Sequence, residues 1–254
     1  MKNKVKKFLK IAGIGGGIVI LAILIYSFAV IQNARTYTVS TILPDIKASR
    51  WRPFLGEPRP FSIRKDDLPD PYIAILVKVQ DPGFYSHNGV DLSTPGAGLT
   101  TISQAIVKKL YFKKFKSGFR KLKQSLIARF VVNEMISKDD QISIFLNAMY
   151  LGEIKGKAQI GFHDAAQGFF RKGAKDLSKD EFISLVAAIV SPNTFNLLEH
   201  PEWNKLRSDR IRKLETGEYI PKGLMDQYYG KLPKEIVDAG LPTCSYFPSL
   251  YENE

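Results

Sequence analysis

The distribution of charged and apolar positions separates the N-terminus from the rest of the chain. Five lysines fall within the first ten residues, whereas no Asp, Glu, Lys or Arg occurs from Ile11 to Ile31. An α-helix rises about 1.5 Å per residue, so this apolar segment would span roughly 31 Å, the thickness of a bilayer core. A cleaved signal peptide is the alternative, but its apolar core is normally only about 7–15 residues long. We therefore predict an uncleaved transmembrane anchor at residues 11–31.

The lysines before the anchor predict its orientation. Positive charge flanking a membrane span stays in the cytoplasm, so residues 1–10 form a cytoplasmic basic segment and the rest lies on the extracytoplasmic face. The predicted location is the cytoplasmic (inner) membrane, with a single pass. Residues 32–66 are rich in proline and lack helical periodicity, which predicts an extended connector.

Helical periodicity dominates residues 67–214, which predict one mainly α domain. Between Arg120 and Met135, apolar residues recur near one face, with Gln124 predicted to lie elsewhere. Ser137 and Ser178 are predicted helix N-caps, each with an acidic residue three positions later. Strand alternation is not evident. Residues 215–254 form a C-terminal tail to which the sequence assigns no function.

Composition narrows the class of partner. The formal net charge is +12 in 254 residues, which favours an anionic partner. The one cysteine, Cys244, excludes an internal disulfide and a cysteine-based zinc cluster. With the domain outside the membrane, nucleic acid is excluded, and lipid headgroups or a lipid-linked phosphate become the expected partners. Residues 110–121 interleave aromatics with cations, and we favour membrane contact there over a solvated basic loop.

Five short motifs occur in series along the chain. They are Gln80-Asp-Pro-Gly-Phe-Tyr-Ser-His-Asn-Gly89, Gly98-Leu-Thr-Thr-Ile-Ser-Gln104, Arg120-Lys-Leu-Lys-Gln124, Lys138 through Asn147, and Gly161 through Leu177. Together they resemble the family 51 glycosyltransferases, the peptidoglycan glycosyltransferases of monofunctional enzymes and class A penicillin-binding proteins. The resemblance covers roughly Asp67 to Leu214.

The resemblance implies a mostly helical, lysozyme-like domain that polymerises lipid II, a disaccharide-peptide on undecaprenyl pyrophosphate. It also implies two catalytic glutamates. The first glutamate opens the first motif and takes a proton from the attacking sugar hydroxyl. The second ends the Arg-Lys-x-x-Glu motif and acts near the pyrophosphate, sometimes with a divalent metal such as Mg²⁺.

Both glutamate positions depart from the family pattern. They hold Gln80 and Gln124, while the neighbouring Asp81 matches the family's own Asp. A neutral amide cannot accept a proton, and losing a general base raises a barrier by roughly 3–5 kcal/mol. Deliberate exchange of Glu for Gln is one explanation, but Ala105, Lys109 and Ser143 also depart from the pattern, which favours natural divergence. Rescue by another acid remains an alternative, and the candidates are Asp81, next to Gln80, and Asp91 and Asp164, in or near the matching motifs.

The implied binding residues are largely retained, and these are Thr100, Gln104, Lys108, Arg120, Lys121 and Asn147. The leading hypothesis is a pseudoenzyme that presents two uncharged side chains beside a cationic binding site. It would bind lipid II or nascent glycan in cell-wall assembly, together with cell-wall or secretion-machinery proteins. The alternatives are an active polymerase using an unmatched carboxylate and a structural membrane protein without ligand binding. No metal-binding residue is assigned.

Overall fold

The chain folds as a mainly α domain behind one long N-terminal helix, as predicted. The computed structural model describes residues 2–115, 118–239 and 241, with the backbone alone for residues 2–14. Within these residues the helices are α1 (Lys2–Tyr37), α2 (Leu43–Lys47), α3 (Asp70–Gln80), α4 (Ile102–Leu110), α5 (Phe119–Ile127), α6 (Asn133–Met135), α7 (Lys138–Ala148), α8 (Phe162–Phe170), α9 (Lys179–Ala188), α10 (Pro201–Thr216) and α11 (Lys234–Asp238). Two short antiparallel pairs complete the fold: β1 (Arg50–Trp51) with β2 (Arg59–Pro60), and β3 (Tyr150–Ile154) with β4 (Lys157–Ile160).

Helix α1 leaves the domain with its apolar side chains exposed. Ile18 and Phe28 are 64% and 65% exposed, and the segment Gly15–Lys47 is apolar and long enough to cross a membrane. From Val30 onwards the same helix packs on the domain. An apolar helix with this arrangement fits a single-pass membrane protein.

The predicted extended connector is wrong for its first part, because the helix continues into the domain. Residues 38–42 form a π-helical turn, and α2 follows directly. Val30, Ala34, Thr38 and Ile42 recur every four residues and are all buried. Tertiary packing therefore supports the helical path. Pro44 lies in the first turn of α2, where a backbone N–H is not needed.

Helix α7 lies at the centre of the core. Every side chain from Gln141 to Ala148 is buried, and the helix packs against α4 on one side and α8 on another. The predicted N-caps are confirmed: Ser137 Oγ accepts from the Asp140 N–H at 3.1 Å, and Ser178 forms a capping box with Glu181. These caps fix where α7 and α9 begin.

Two further expectations from the pattern are wrong. β3 and β4 form a hairpin, whose turn residues Lys155 and Gly156 have φ angles of 49° and 77°, as a type I′ turn requires. On α5, Gln124 lies on the buried face, whereas Leu122 is 43% exposed. Packing of α5 against both α1 and α4 turns the helix so that its polar residue points inward.

The residues after α10 are packed against the domain as far as the structure describes them. Tyr229 and Ile236 are buried, and Tyr229 Oη donates to the carbonyl of Val79 at 3.1 Å. Arg210 donates to the carbonyls of Tyr228 and Gly230. This part of the predicted tail is therefore structured.

Candidate functional site

A cavity of about 500 Å³ lies beside α4. Its wall combines the C-terminal end of α3, the loop before α4, one face of α4, the end of α7 and a segment that follows α10. The lining residues are Val79, Gln80, Ala97, Leu99, Thr100, Thr101, Ile102, Ala105, Lys108, Lys109, Phe145, Met149, Ile189, Val190, Arg207, Met225, Gln227 and Tyr228.

The charges on the cavity wall are all positive. Lys108, Lys109 and Arg207 line it, and none of its described lining residues is Asp or Glu. None of these cations forms an ion pair within the described part of the chain. Burial lowers the pKa of Lys108, and the charge of Lys109 lowers it further. The cavity is thus suited to an anion, whose charge would relieve this repulsion.

Lys121 lies at the rim of the cavity. Its Nζ donates to the carbonyl of Leu99 at 2.7 Å and to Thr100 Oγ1 at 3.3 Å. Burial and then the nearby charge of Lys108 lower the pKa of Lys121 to about 8. Of the predicted binding residues, Thr100 and Lys108 line the cavity and Lys121 borders it.

Gln80 faces the cavity from the last turn of α3. It is half-buried, and its amide makes no side-chain hydrogen bond to another described residue. Asp81 points elsewhere and is fully buried. Its Oδ1 accepts from His87 Nε2 at 2.8 Å, and its Oδ2 accepts from the Ile102 N–H at 2.9 Å. Asp81 therefore ties α3 to the start of α4.

Gln124 does not line the cavity. Its side chain is fully buried, and its Nε2 donates a 2.6 Å hydrogen bond to the carbonyl of Gln104. The two family glutamate positions are therefore not both presented to the cations, contrary to the expectation. Gln124 instead joins α5 to α4.

Three more predicted binding residues do not line the cavity. Gln104 caps α4 by accepting from the Thr101 N–H at 3.1 Å. Asn147 is buried and donates to the carbonyl of Ile63 at 2.6 Å, so it holds the connector against α7. Arg120 is exposed and donates to the carbonyl of Lys114 at 2.9 Å.

Sequence reasoning missed Arg207 on α10. Its Nε donates to the carbonyl of Ala187 at 3.1 Å, and its Nη1 donates to the carbonyl of Gln227 at 2.9 Å. The guanidinium also lies 5.5 Å from the ring centroids of Tyr228 and Tyr229. Arginines are frequent on amphipathic helices, so no sequence pattern indicates that this one is buried at a cavity.

The residues present do not fit the divalent metal that the family resemblance implies. Gln124 offers an uncharged amide, and the described cavity wall has no carboxylate, the ligand that Mg²⁺ prefers. Asp81, His87 and Asp91 cluster within 4.8 Å, but the ring nitrogens of His87 already bond Asp81 and the Gly89 N–H. Although burial opposes it, hydrogen bonds from Thr94 and Ser93 lower the pKa of Asp91 to about 2. We interpret the cluster as a hydrogen-bonded scaffold.

Comparison with known proteins identifies the family. Residues 54–215 match the family described as Transglycosylase, so the chain belongs to the transglycosylase family, the family 51 glycosyltransferases with a lysozyme-like fold. The match begins before residue 67, the predicted start of the domain.

Its relatives include three penicillin-binding proteins. Penicillin-binding protein 1A of Neisseria flavescens is 30% identical over 64% of this chain and 22% of its own length. Penicillin-binding protein 1A of Neisseria lactamica is 29% identical over 61% of this chain and 21% of its length. Penicillin-binding protein 1F of Bacillus subtilis is 30% identical over 58% of this chain and 22% of its own length. The chain thus matches about a fifth of the length of these relatives.

Proposed function

We propose that this protein is a membrane-anchored member of the family that binds lipid II or nascent glycan and has weak or absent polymerase activity. The observation that carries the proposal is the charge of the cavity wall. Three cations and the neutral amide of Gln80 line it, without a carboxylate among the described lining residues. Such a site can hold a pyrophosphate but lacks a group to deprotonate the attacking hydroxyl.

The acids considered as substitutes are engaged or distant. Asp81 has hydrogen bonds on both oxygens. Asp91 accepts from the Ser93 and Thr94 N–H groups through Oδ1, while its Oδ2 is buried without a hydrogen-bond partner among the described residues, and Asp91 does not line the cavity. Asp164 lines a separate depression near Gln167. Without a general base, the barrier rises by roughly 3–5 kcal/mol, corresponding to a loss of about 10²–10⁴ in rate.

Membrane headgroups are the second proposed partner. Helix α5 packs against α1, and Phe119 on α5 is 88% exposed while Leu122 is 43% exposed. Both apolar side chains are accompanied by cations, including Lys123, whose Nζ lies 5.4 Å from the centroid of the Phe112 ring. Apolar and cationic groups beside a membrane helix suit the headgroup region of an anionic leaflet. The N-terminal lysines favour the inner membrane with the domain outside.

The proposal is tested with the full chain in detergent micelles and labelled lipid II. We expect binding without glycan chains, and we expect Lys108→Ala to weaken binding. The matched control is Lys213→Ala, since Lys213 is exposed on α10 and does not line the cavity. Unchanged affinity in Lys108→Ala would favour a structural protein.

The alternative of an active polymerase is tested in the same reaction. Robust glycan chains that disappear in a folded Asp81→Asn variant would overturn the proposal. Because Asp81 is buried and hydrogen-bonded, a thermal-unfolding measurement must show that this variant is folded. Full retention of chain formation in Asp81→Asn would equally overturn the proposal and move the search to another acid.

A further inference from the structure

A segment beyond the family match forms part of the cavity. We call residues 219–230 the wall segment; they follow α10, and the family match ends at residue 215. Met225, Gln227 and Tyr228 of the wall segment line the cavity. The site therefore includes side chains that the matched family region does not supply.

On one side the wall segment is bonded to the loop that precedes α4. The Gly96 N–H donates to the carbonyl of Gly223 at 2.8 Å, and the Gly98 N–H donates to that of Leu224 at 2.7 Å. Gly98 has a φ of +65°, and a Cβ there would lie 2.6 Å from Gln227 Oε1. The positive φ favours glycine at this position, and any larger residue there would displace the Gln227 side chain.

On the other side the wall segment is held by the domain. Arg207 donates to the Gln227 carbonyl, and Tyr229 Oη donates to the carbonyl of Val79, the residue before Gln80. Asp226 is fully buried, and its Oδ2 accepts from the Lys222 N–H at 2.9 Å. Bonds on both sides make the segment a fixed part of the wall.

The chemistry of the wall segment differs from that of the other walls. Its contributions are a thioether, a primary amide and a phenol ring, all neutral, whereas the cations lie on α4 and α10. The Gln227 amide offers two donors and an acceptor, and it makes no side-chain hydrogen bond to another described residue. An amide beside an aromatic ring suits sugar hydroxyl and acetamido groups, whereas a pyrophosphate gains more from cations.

We propose that the wall segment recognises the saccharide portion of a lipid-linked pyrophosphate and determines the specificity of the cavity. The cavity should then prefer a pyrophosphate that carries a sugar to the bare lipid pyrophosphate. This inference rests on the proposed function, because it assumes that a lipid-linked pyrophosphate occupies the cavity.

The test compares two probes on the full chain in detergent micelles, lipid II and undecaprenyl pyrophosphate. Loss of one hydrogen bond in Gln227→Ala should weaken lipid II binding about fivefold and leave the affinity for undecaprenyl pyrophosphate within about twofold of the parent value. Lys108→Ala should weaken the binding of both probes. The control is Ile220→Ala, because Ile220 lies on the same segment, is 79% exposed and does not line the cavity.

The outcomes separate this inference from the proposed function. If Gln227→Ala weakens the binding of both probes equally, or changes the affinity for neither, the inference is overturned while the proposed function stands. Binding of neither probe by the parent protein would overturn both. The bond from Arg207 reaches the Gln227 backbone carbonyl, which the substitution retains. Should Gln227→Ala nevertheless unfold, Met225→Trp replaces it, and its added bulk must weaken lipid II more than the bare pyrophosphate.

Discussion

Gln124 occupies the second family glutamate position, and returning a glutamate there should destabilise this protein. Its Nε2 donates to the Gln104 carbonyl, while its Oε1 is buried without a hydrogen-bond partner among the described residues. A carboxylate in this position would face a carbonyl oxygen at short range. The Gln124→Glu side chain should therefore fold protonated, with its O–H donating to that carbonyl.

The expected loss of stability at position 124 follows from proton linkage. An unfolded glutamate has a pKa of about 4.3, so keeping it protonated costs about 1.36 kcal/mol for each pH unit above that value. The cost is about 1 kcal/mol at pH 5 and approaches about 5 kcal/mol at pH 8. Folding raises the pKa of the introduced carboxyl group. The free energy of unfolding of Gln124→Glu is therefore unaffected by this group below its unfolded pKa and falls as the pH rises above it.

Urea unfolding of the full chain in detergent at about pH 5, 6.5 and 8 measures this slope. Gln124→Met is the matched control: it loses the hydrogen bond but carries no charge, so its cost of about 1–3 kcal/mol should not vary with pH. A Gln124→Glu variant whose stability follows that of the parent at every pH would refute the reasoning. Position 124 would then be open to water or to a cation.

The remaining predictions concern the cavity and the π-helical turn that follows α1. Gln80→Glu places a carboxylate on the cavity wall and should raise lipid II polymerisation at least about 10²-fold over the parent, with Gln80→Met as control. The lowered pKa of Lys121, about 8, means that lipid II affinity should fall as the pH rises through that value, and Lys121→Arg should flatten the titration. Thr38→Val removes the 2.7 Å hydrogen bond between Thr38 Oγ1 and Tyr111 Oη and should lower the free energy of unfolding by about 1–2 kcal/mol, measured in urea.

Features of the fold that depend on local chemistry could be predicted from the sequence. The apolar segment, the caps at Ser137 and Ser178 and the helical character of the domain depend on residues close in the chain. The helix after residue 31 could not be predicted in this way. Val30 and Ala34 are stabilised there by packing on residues distant in sequence, and prolines nearby indicate a connector when read alone.

The candidate site was only partly predictable for the same reason. A motif identifies residues that a family retains, but it does not distinguish a side chain at a cavity from one that stabilises the fold. Gln104 and Asn147 belong to the second group, since both are buried in hydrogen bonds to the backbone. Arg207 and Gln227 reach the cavity because α10 and the following segment fold back against α3, which no local pattern encodes.

The continuity of α1 with the core links membrane attachment to the proposed binding role. Burial begins at Val30, next to the predicted end of the span at residue 31, so the proposed membrane anchoring would hold the domain close to the bilayer surface. Arg35 fixes this junction by bonding the Phe130 carbonyl and Glu134. A lipid-linked ligand has its pyrophosphate at the same surface, so a helix that enters the domain without a flexible linker limits how far the cavity can move from it. A protein that only holds such a ligand needs this placement and a cationic cavity, and it needs no carboxylate.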